Sequence, residues 1–187
     1  INTLLVREIS RDKSSVEKYF ANAILSKIVL SGITYGLIAI VLNYFLKYPQ
    51  DTIFIVYIIW IFTILSTFTE LFYSIFRAFE MMVYDSMLKI ARMVILTISS
   101  LYILFNGYGI FAFCWAFVFT ELIILISSFA IAGKKFFRLN FKFDFAFTKE
   151  MLKKAYPFGM AFIFGSVYFF ISSVILSKIK GDGQVAI

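Results

Sequence analysis

Between Ile110 and Ala132 the sequence carries one charged side chain, Glu121, in an otherwise unbroken run of apolar and small residues. A helix of roughly 20 such residues crosses a bilayer core about 30 Å thick. Being apolar on every face, it offers no polar side to water. Similar runs recur from Val16 to Leu46, from Ile53 to Phe79, from Tyr84 to Phe105 and from about Ala155 to Lys178. Composition agrees, at 61% hydrophobic and 16% charged residues, where a soluble domain averages about 45–50% apolar and about 25% charged. The short, turn-bounded alternation of a membrane β-barrel is absent. The expected fold class is therefore all-α, a polytopic membrane helix bundle with about five transmembrane helices.

Several chemistries are disfavoured at once. The sequence has one cysteine, Cys114, and no histidine, so no internal disulfide forms and the commonest zinc ligand and acid–base group is absent. Asp and Glu are too scattered for a glycosidase pair or a divalent-metal site. Gly107-Tyr108-Gly109 and Gly181-Asp182-Gly183 read as turns, without a nucleotide-binding glycine pattern. No enzyme, metal or cofactor is expected.

Local signals set the ends of the spans. Ser14-Ser15-Val16-Glu17 offers a capping box with Ser14 as N-cap, Pro49 breaks the chain after the first span, and Asn106–Gly109 is a turn. Orientation follows from the Lys and Arg near the span ends. Fourteen of the 18 fall on one side, at the N-terminal segment, around Phe79–Asp85 and around residues 134–153. Lys47, Lys178 and Lys180 fall on the other, and Lys27 lies inside the first span. The richer side is cytoplasmic. The net charge of +7 reports this asymmetry, not nucleic-acid binding. The chain opens on a charged segment at Ile1 and closes just after Gly183, which reads as an internal piece of a longer protein.

The connection around residues 134–153 divides the chain into 1–135, a cytoplasmic segment with four spans; 136–153, a cytoplasmic linker; and 154–187, the first helix of a second bundle. Phe141–Phe147 alternates aromatic with polar or small residues, as an extended segment at the membrane interface would. Thr148 is expected to N-cap a short amphipathic helix over Lys149–Tyr156, with Lys153 and Lys154 toward anionic headgroups. Pro157 should kink the start of the fifth span. Gly159 and the Ser residues beyond it serve either close helix packing or a hinge.

An ionisable residue inside a span costs about 2.5–3.5 kcal/mol on insertion scales, so each is a candidate for function. Glu121, near the centre of its span, must be protonated, paired or facing a hydrated cavity. Glu70 lies near the cytoplasmic end of the second span and shares a face with Arg77, while Glu80 is spaced to pair with Arg77. Asp85 and Lys89 stand at i, i+4, with Arg92 about two turns deeper than Asp85. Two readings of the cations remain open. Lys27, Arg77 and Lys89 extend to the headgroups along their aliphatic stems, or Lys27, Arg77, Lys89 and Arg92 line one inward-open cavity and bind an anion. Arg suits phosphate oxygens through its planar fork of donors.

Four stretches carry a resemblance. Arg7-Glu8-Ile9-Ser10-Arg11-Asp12-Lys13 resembles the cytoplasmic motif after the second helix of Wzx-type polysaccharide flippases, members of the multidrug/oligosaccharidyl-lipid/polysaccharide exporter superfamily. Ser74-Ile75-Phe76-Arg77-Ala78-Phe79-Glu80 resembles the close of their fourth helix. Residues 143–159, with Pro157-Phe158-Gly159, resemble the link into the seventh, and Tyr168–Ser177 with Lys180-Gly181-Asp182 its end. The resemblance implies part of a two-bundle, MATE-like transporter in the plasma membrane. It would move a lipid-diphosphate-linked oligosaccharide to the outer leaflet by alternating access, with membrane lipid and a coupling cation or proton as partners. Arg77 and Arg92, helped by Lys27 and Lys89, would hold the diphosphate, and Glu121 and Glu70 would couple to ion or proton. Ser172 stands where many relatives carry an acid, so no coupling role is implied there. A cation-coupled drug or metabolite antiporter of the same superfamily, and a membrane glycan polymerase or transferase, are the alternatives.

Overall fold

A computed structural model describes residues 1–42, 49–135 and 144–180, and their side chains except residue 163 and residues 169–180. Six α-helices follow one another: α1 (Asn2–Arg11), α2 (Val16–Ile40), α3 (Gln50–Ala78), α4 (Met82–Phe105), α5 (Ile110–Lys135) and α6 (Phe145–Lys180). By length and composition, α2 through α5 are able to cross a membrane. The fifth expected span falls within α6. The expected turn at Gly181–Gly183, the alternation over 141–143, and Lys47, Arg138 and Lys142 lie outside the described residues.

The N-terminal segment is itself helical. Ile1, Leu4, Leu5 and Ile9 recur on one face of α1, and the last three are buried among Phe20, Leu71, Phe76 and Ile124. This short amphipathic helix runs beside α3, with Ile1, Asn2 and Thr3 near Lys27 and Thr67 and the Ser10 hydroxyl donating to the Ala78 carbonyl at the end of α3 (3.3 Å). The cap that follows is not Ser14. The Asp12 carboxylate accepts from the Ser14 N–H (3.0 Å) and its hydroxyl (2.6 Å), forming a 3-10 turn over Lys13–Ser15. With its hydroxyl turned back to a charged acceptor, Ser14 cannot complete the expected box with Glu17.

The two tight corners share one device. At each, a 6→1 backbone bond closes the helix end, from Met81 N–H to the Phe76 carbonyl and from Tyr108 N–H to the Ile103 carbonyl, with one residue in the left-handed region. Gly107 (φ 69°) fills that place in the α4–α5 corner; Glu80 (φ 61°) fills it between α3 and α4. The left-handed turn leaves Glu80 exposed, and Arg77 pairs with other acids instead.

The α6 helix starts earlier than expected. Asp144 caps it, accepting the Phe147 N–H at Oδ1 (3.1 Å), so Phe145–Phe147 is helical and Thr148 lies one turn inside. The helix continues through Pro157 without a break in assignment. Met151 and Ala155 face the core.

Candidate functional site

Helix direction decides which charges meet. The helices α2 and α4 run away from the Lys/Arg-rich end of the bundle while α3 and α5 return. At 1.5 Å per residue, Arg92 lies about 15 Å into α4 and Glu121 about 16 Å into α5, so both reach the middle of the bundle. Their separation is 3.4 Å between Arg92 Nη1 and Glu121 Oε2. Glu121 is fully buried, and its Oε1 is without a partner. Of the three states open to this carboxylate, the structure has the paired one.

Nearer the cytoplasm, Asp85 links two helices. Its Oδ2 lies 3.3 Å from Arg77 Nε, and its Oδ1 lies 2.8 Å from Lys89 Nζ, one turn along α4. Arg77 also donates to Glu70 Oε2 (3.0 Å), seven residues back on α3. Glu70, Arg77, Asp85 and Lys89 thus form a continuous chain of alternating charge. Tyr73, fully buried on α3, lies beside this chain, and its hydroxyl has no hydrogen-bond partner among the described residues. Lys89 Nζ sits 5.2 Å from its ring centroid.

Lys27 stands apart. It lies about 16 Å into α2, level with Thr67 on the antiparallel α3, and donates from Nζ to the Thr67 carbonyl. Among the described residues it makes no ion pair. It lines a cavity of about 850 Å³ between α2, α3, α6 and the start of α1. Ser31 and Thr34 follow it at helical spacing on α2, and Trp60 and Thr63 face them from α3. Tyr35 packs against Trp60 at 4.8 Å between centroids. The wall is mostly apolar, studded with hydroxyls and one cation.

The six charges singled out in the sequence therefore divide. Glu70, Arg77 and Lys89 are brought together by Asp85, Arg92 meets Glu121, and Lys27 occupies a different place. The Asp85–Lys89 spacing announced one of these contacts. Tyr73 gave no signal, since nothing in its neighbourhood distinguishes it from the other aromatics of α3. No group of three or more metal-binding side chains occurs among the described residues.

A family model described as polysaccharide biosynthesis protein matches residues 1–187. No curated protein and no solved structure matches the chain. The helical bundle, its four membrane-length helices and the match along 1–187 have one reading: the chain belongs to the polysaccharide biosynthesis family, that of Wzx-type flippases and MATE-like exporters, and is a multi-pass membrane protein.

Proposed function

We propose that this chain takes part in moving a polyprenyl-diphosphate-linked oligosaccharide from the cytoplasmic to the outer leaflet by alternating access. The observation that carries the reading is Lys27, an interior cation with no carboxylate partner among the described residues, on the wall of a cavity lined by hydroxyls and Trp60. An ammonium at that depth is costly unless it meets an anion. Hydroxyls and an indole face are the groups that receive sugar hydroxyls and the apolar face of a pyranose ring.

Arg77 and Arg92 enter as reserve donors. Each is held by a carboxylate in the present arrangement, and each presents the planar fork that suits a diphosphate. A proton or cation arriving on Glu121 would release Arg92 to the substrate, and one arriving on Glu70 would leave Arg77 held by Asp85 alone, with Lys89 shifting within the same chain of charge. The two acids are thereby assigned the coupling role. A cation-binding antiporter would want unpaired interior acids, whereas Glu70, Asp85 and Glu121 all have cationic partners.

The test is glycan export in cells that depend on the full-length protein. Lys27→Met should lower export tenfold or more at unchanged membrane abundance, and undiminished export would overturn the assignment. Exchanging the charges of Arg77 and Arg92 for acids should abolish export altogether.

A further inference from the structure

Asn22 is fully buried on α2, and its amide is used almost to capacity. Nδ2 donates to the Lys18 carbonyl (2.7 Å). Oδ1 accepts the Asp144 backbone N–H (3.0 Å) and the Thr148 hydroxyl (2.7 Å). The Asp144 N–H precedes the first turn of α6, where backbone donors have no partner within the helix. A side chain of α2 thus takes up a donor at the start of a helix more than 120 residues further along the sequence. Around this clasp, the Phe147 ring meets Tyr19 edge-on at 4.9 Å, and the Lys18 ammonium lies 4.1 Å from the same ring. One and two turns on, Met151 (2% exposed) and Ala155 (6%) close the core.

Beyond them, Phe158, Gly159, Ala161 and Phe162 line the cavity. Phe162 is 77% exposed and Tyr168 78%. Between the clasped base and the cavity wall stands Pro157, which has no N–H for the Lys153 carbonyl and so removes one rung of the helix ladder. Gly159 follows, with nothing within 4 Å of the position a Cβ would take. The lost rung makes this the weakest turn of the described helix.

We propose that residues 144–156 move as part of the first bundle, clasped there by Asn22, and that the pivot toward the helices that follow is Pro157–Gly159, not the 136–153 connection. The proposal rests on the alternating-access reading above. It makes Asn22 and Thr148 positioning residues, which set where α6 bends without touching the substrate.

Two measurements on the full-length protein in nanodiscs test it, both with Cys114 replaced by Ala. In the first, spin labels at Arg11→Cys and Lys153→Cys should give one narrow distance distribution, while labels at Arg11→Cys and Phe162→Cys should give a broad or two-peaked one. Adding Asn22→Ala with Thr148→Val should broaden the first distribution. A broad distribution at the base in the parent protein, or a narrow one beyond the pivot, overturns the proposal. In the second, a disulfide between Asn22→Cys and Thr148→Cys should leave export within twofold of the reduced form. A short bis-maleimide bridge between Thr34→Cys and Phe162→Cys, across the cavity, should lower it at least tenfold. Export lost on closing the base disulfide overturns the pivot. Distances as expected in a protein that moves no lipid-linked glycan would instead overturn the flippase reading and leave the clasp standing.

Discussion

The ion pairs of α3, α4 and α5 and the cavity beside Lys27 both hold cations within the bundle, and they differ in what neutralises them. In the first, every cation has a carboxylate of this chain within 3.4 Å. In the second, the ammonium has a backbone carbonyl that a helical N–H also uses. A charge paired within the chain contributes to holding helices together, because removing its partner strands an ion in a poor solvent. One that lacks such a partner has coordination to offer. The difference separates a load-carrying ion pair from a candidate binding group, and each half can be broken separately.

The largest effect should come from the deeper pair. Arg92→Leu leaves the Glu121 carboxylate buried without a cation, and breaking such a pair costs about 3–5 kcal/mol. Thermal unfolding in detergent should show a lower midpoint. Arg92→Leu with Glu121→Leu should recover most of the loss, since an apolar pair of similar volume is often neutral or stabilising there. A single variant that unfolds no earlier than the parent would erase the contrast.

Lys27→Met is the opposite case. The Thr67 carbonyl keeps its place in the α3 ladder, so no buried acceptor is stranded and stability should change by less than about 1 kcal/mol. The tenfold loss of export expected above corresponds to about 1.4 kcal/mol. A variant that unfolds early and exports normally would reverse the roles of the two regions.

A smaller effect isolates Glu80. The left-handed conformation costs a non-glycine residue roughly 1 kcal/mol, and Glu80 makes no ion pair among those the structure describes. Glu80→Gly should therefore raise stability by about 0.5–1 kcal/mol, and Gly107→Ala at the matching place should lower it by a similar amount. A loss on Glu80→Gly would mean that its charge belongs to the chain beside it.

Much of this architecture is legible in the sequence, for reasons that also mark where legibility ends. The helices α2–α5 follow from unbroken apolar runs, and the α4–α5 corner from Asn106-Gly107, because length and left-handed backbone are local properties. The Asp85–Lys89 contact is local too. The pairing of Arg92 with Glu121 is not, since it depends on two helices running in opposite directions and facing each other at one depth. The clasp of Asn22 on Asp144 and Thr148 lies further still from any spacing rule. The α1 helix was within reach through Ile1, Leu4, Leu5 and Ile9, but its charges read more strongly than its apolar face. Glu80 was assigned to Arg77 by helical spacing, which fails because the helix ends in a left-handed turn at that residue.

The smallest effect lies outside the membrane and calibrates the rest. Glu150 and Lys154 repeat the geometry of Asp85 and Lys89, at i, i+4 and 2.8 Å, but both stand in water. The hydrogen bond from Lys154, reinforced by its charge, lowers the Glu150 carboxyl below its ordinary value, and the same contact raises Lys154. A depressed carboxyl stabilises the fold above its unfolded value, and that contribution is lost as pH falls through the folded one. A raised ammonium contributes below its unfolded value and is lost as pH rises through the folded one. Unfolding followed on acidification should therefore show a small loss of stability that Glu150→Gln removes, and added salt should flatten it, because exposed pairs are screened. Asp85→Asn breaks the same geometry where the carboxylate is largely buried, and should lower the unfolding midpoint more than Glu150→Gln does. Equal effects would mean that burial does not distinguish the two pairs, and the interior chain of charge would then be no firmer than one in water.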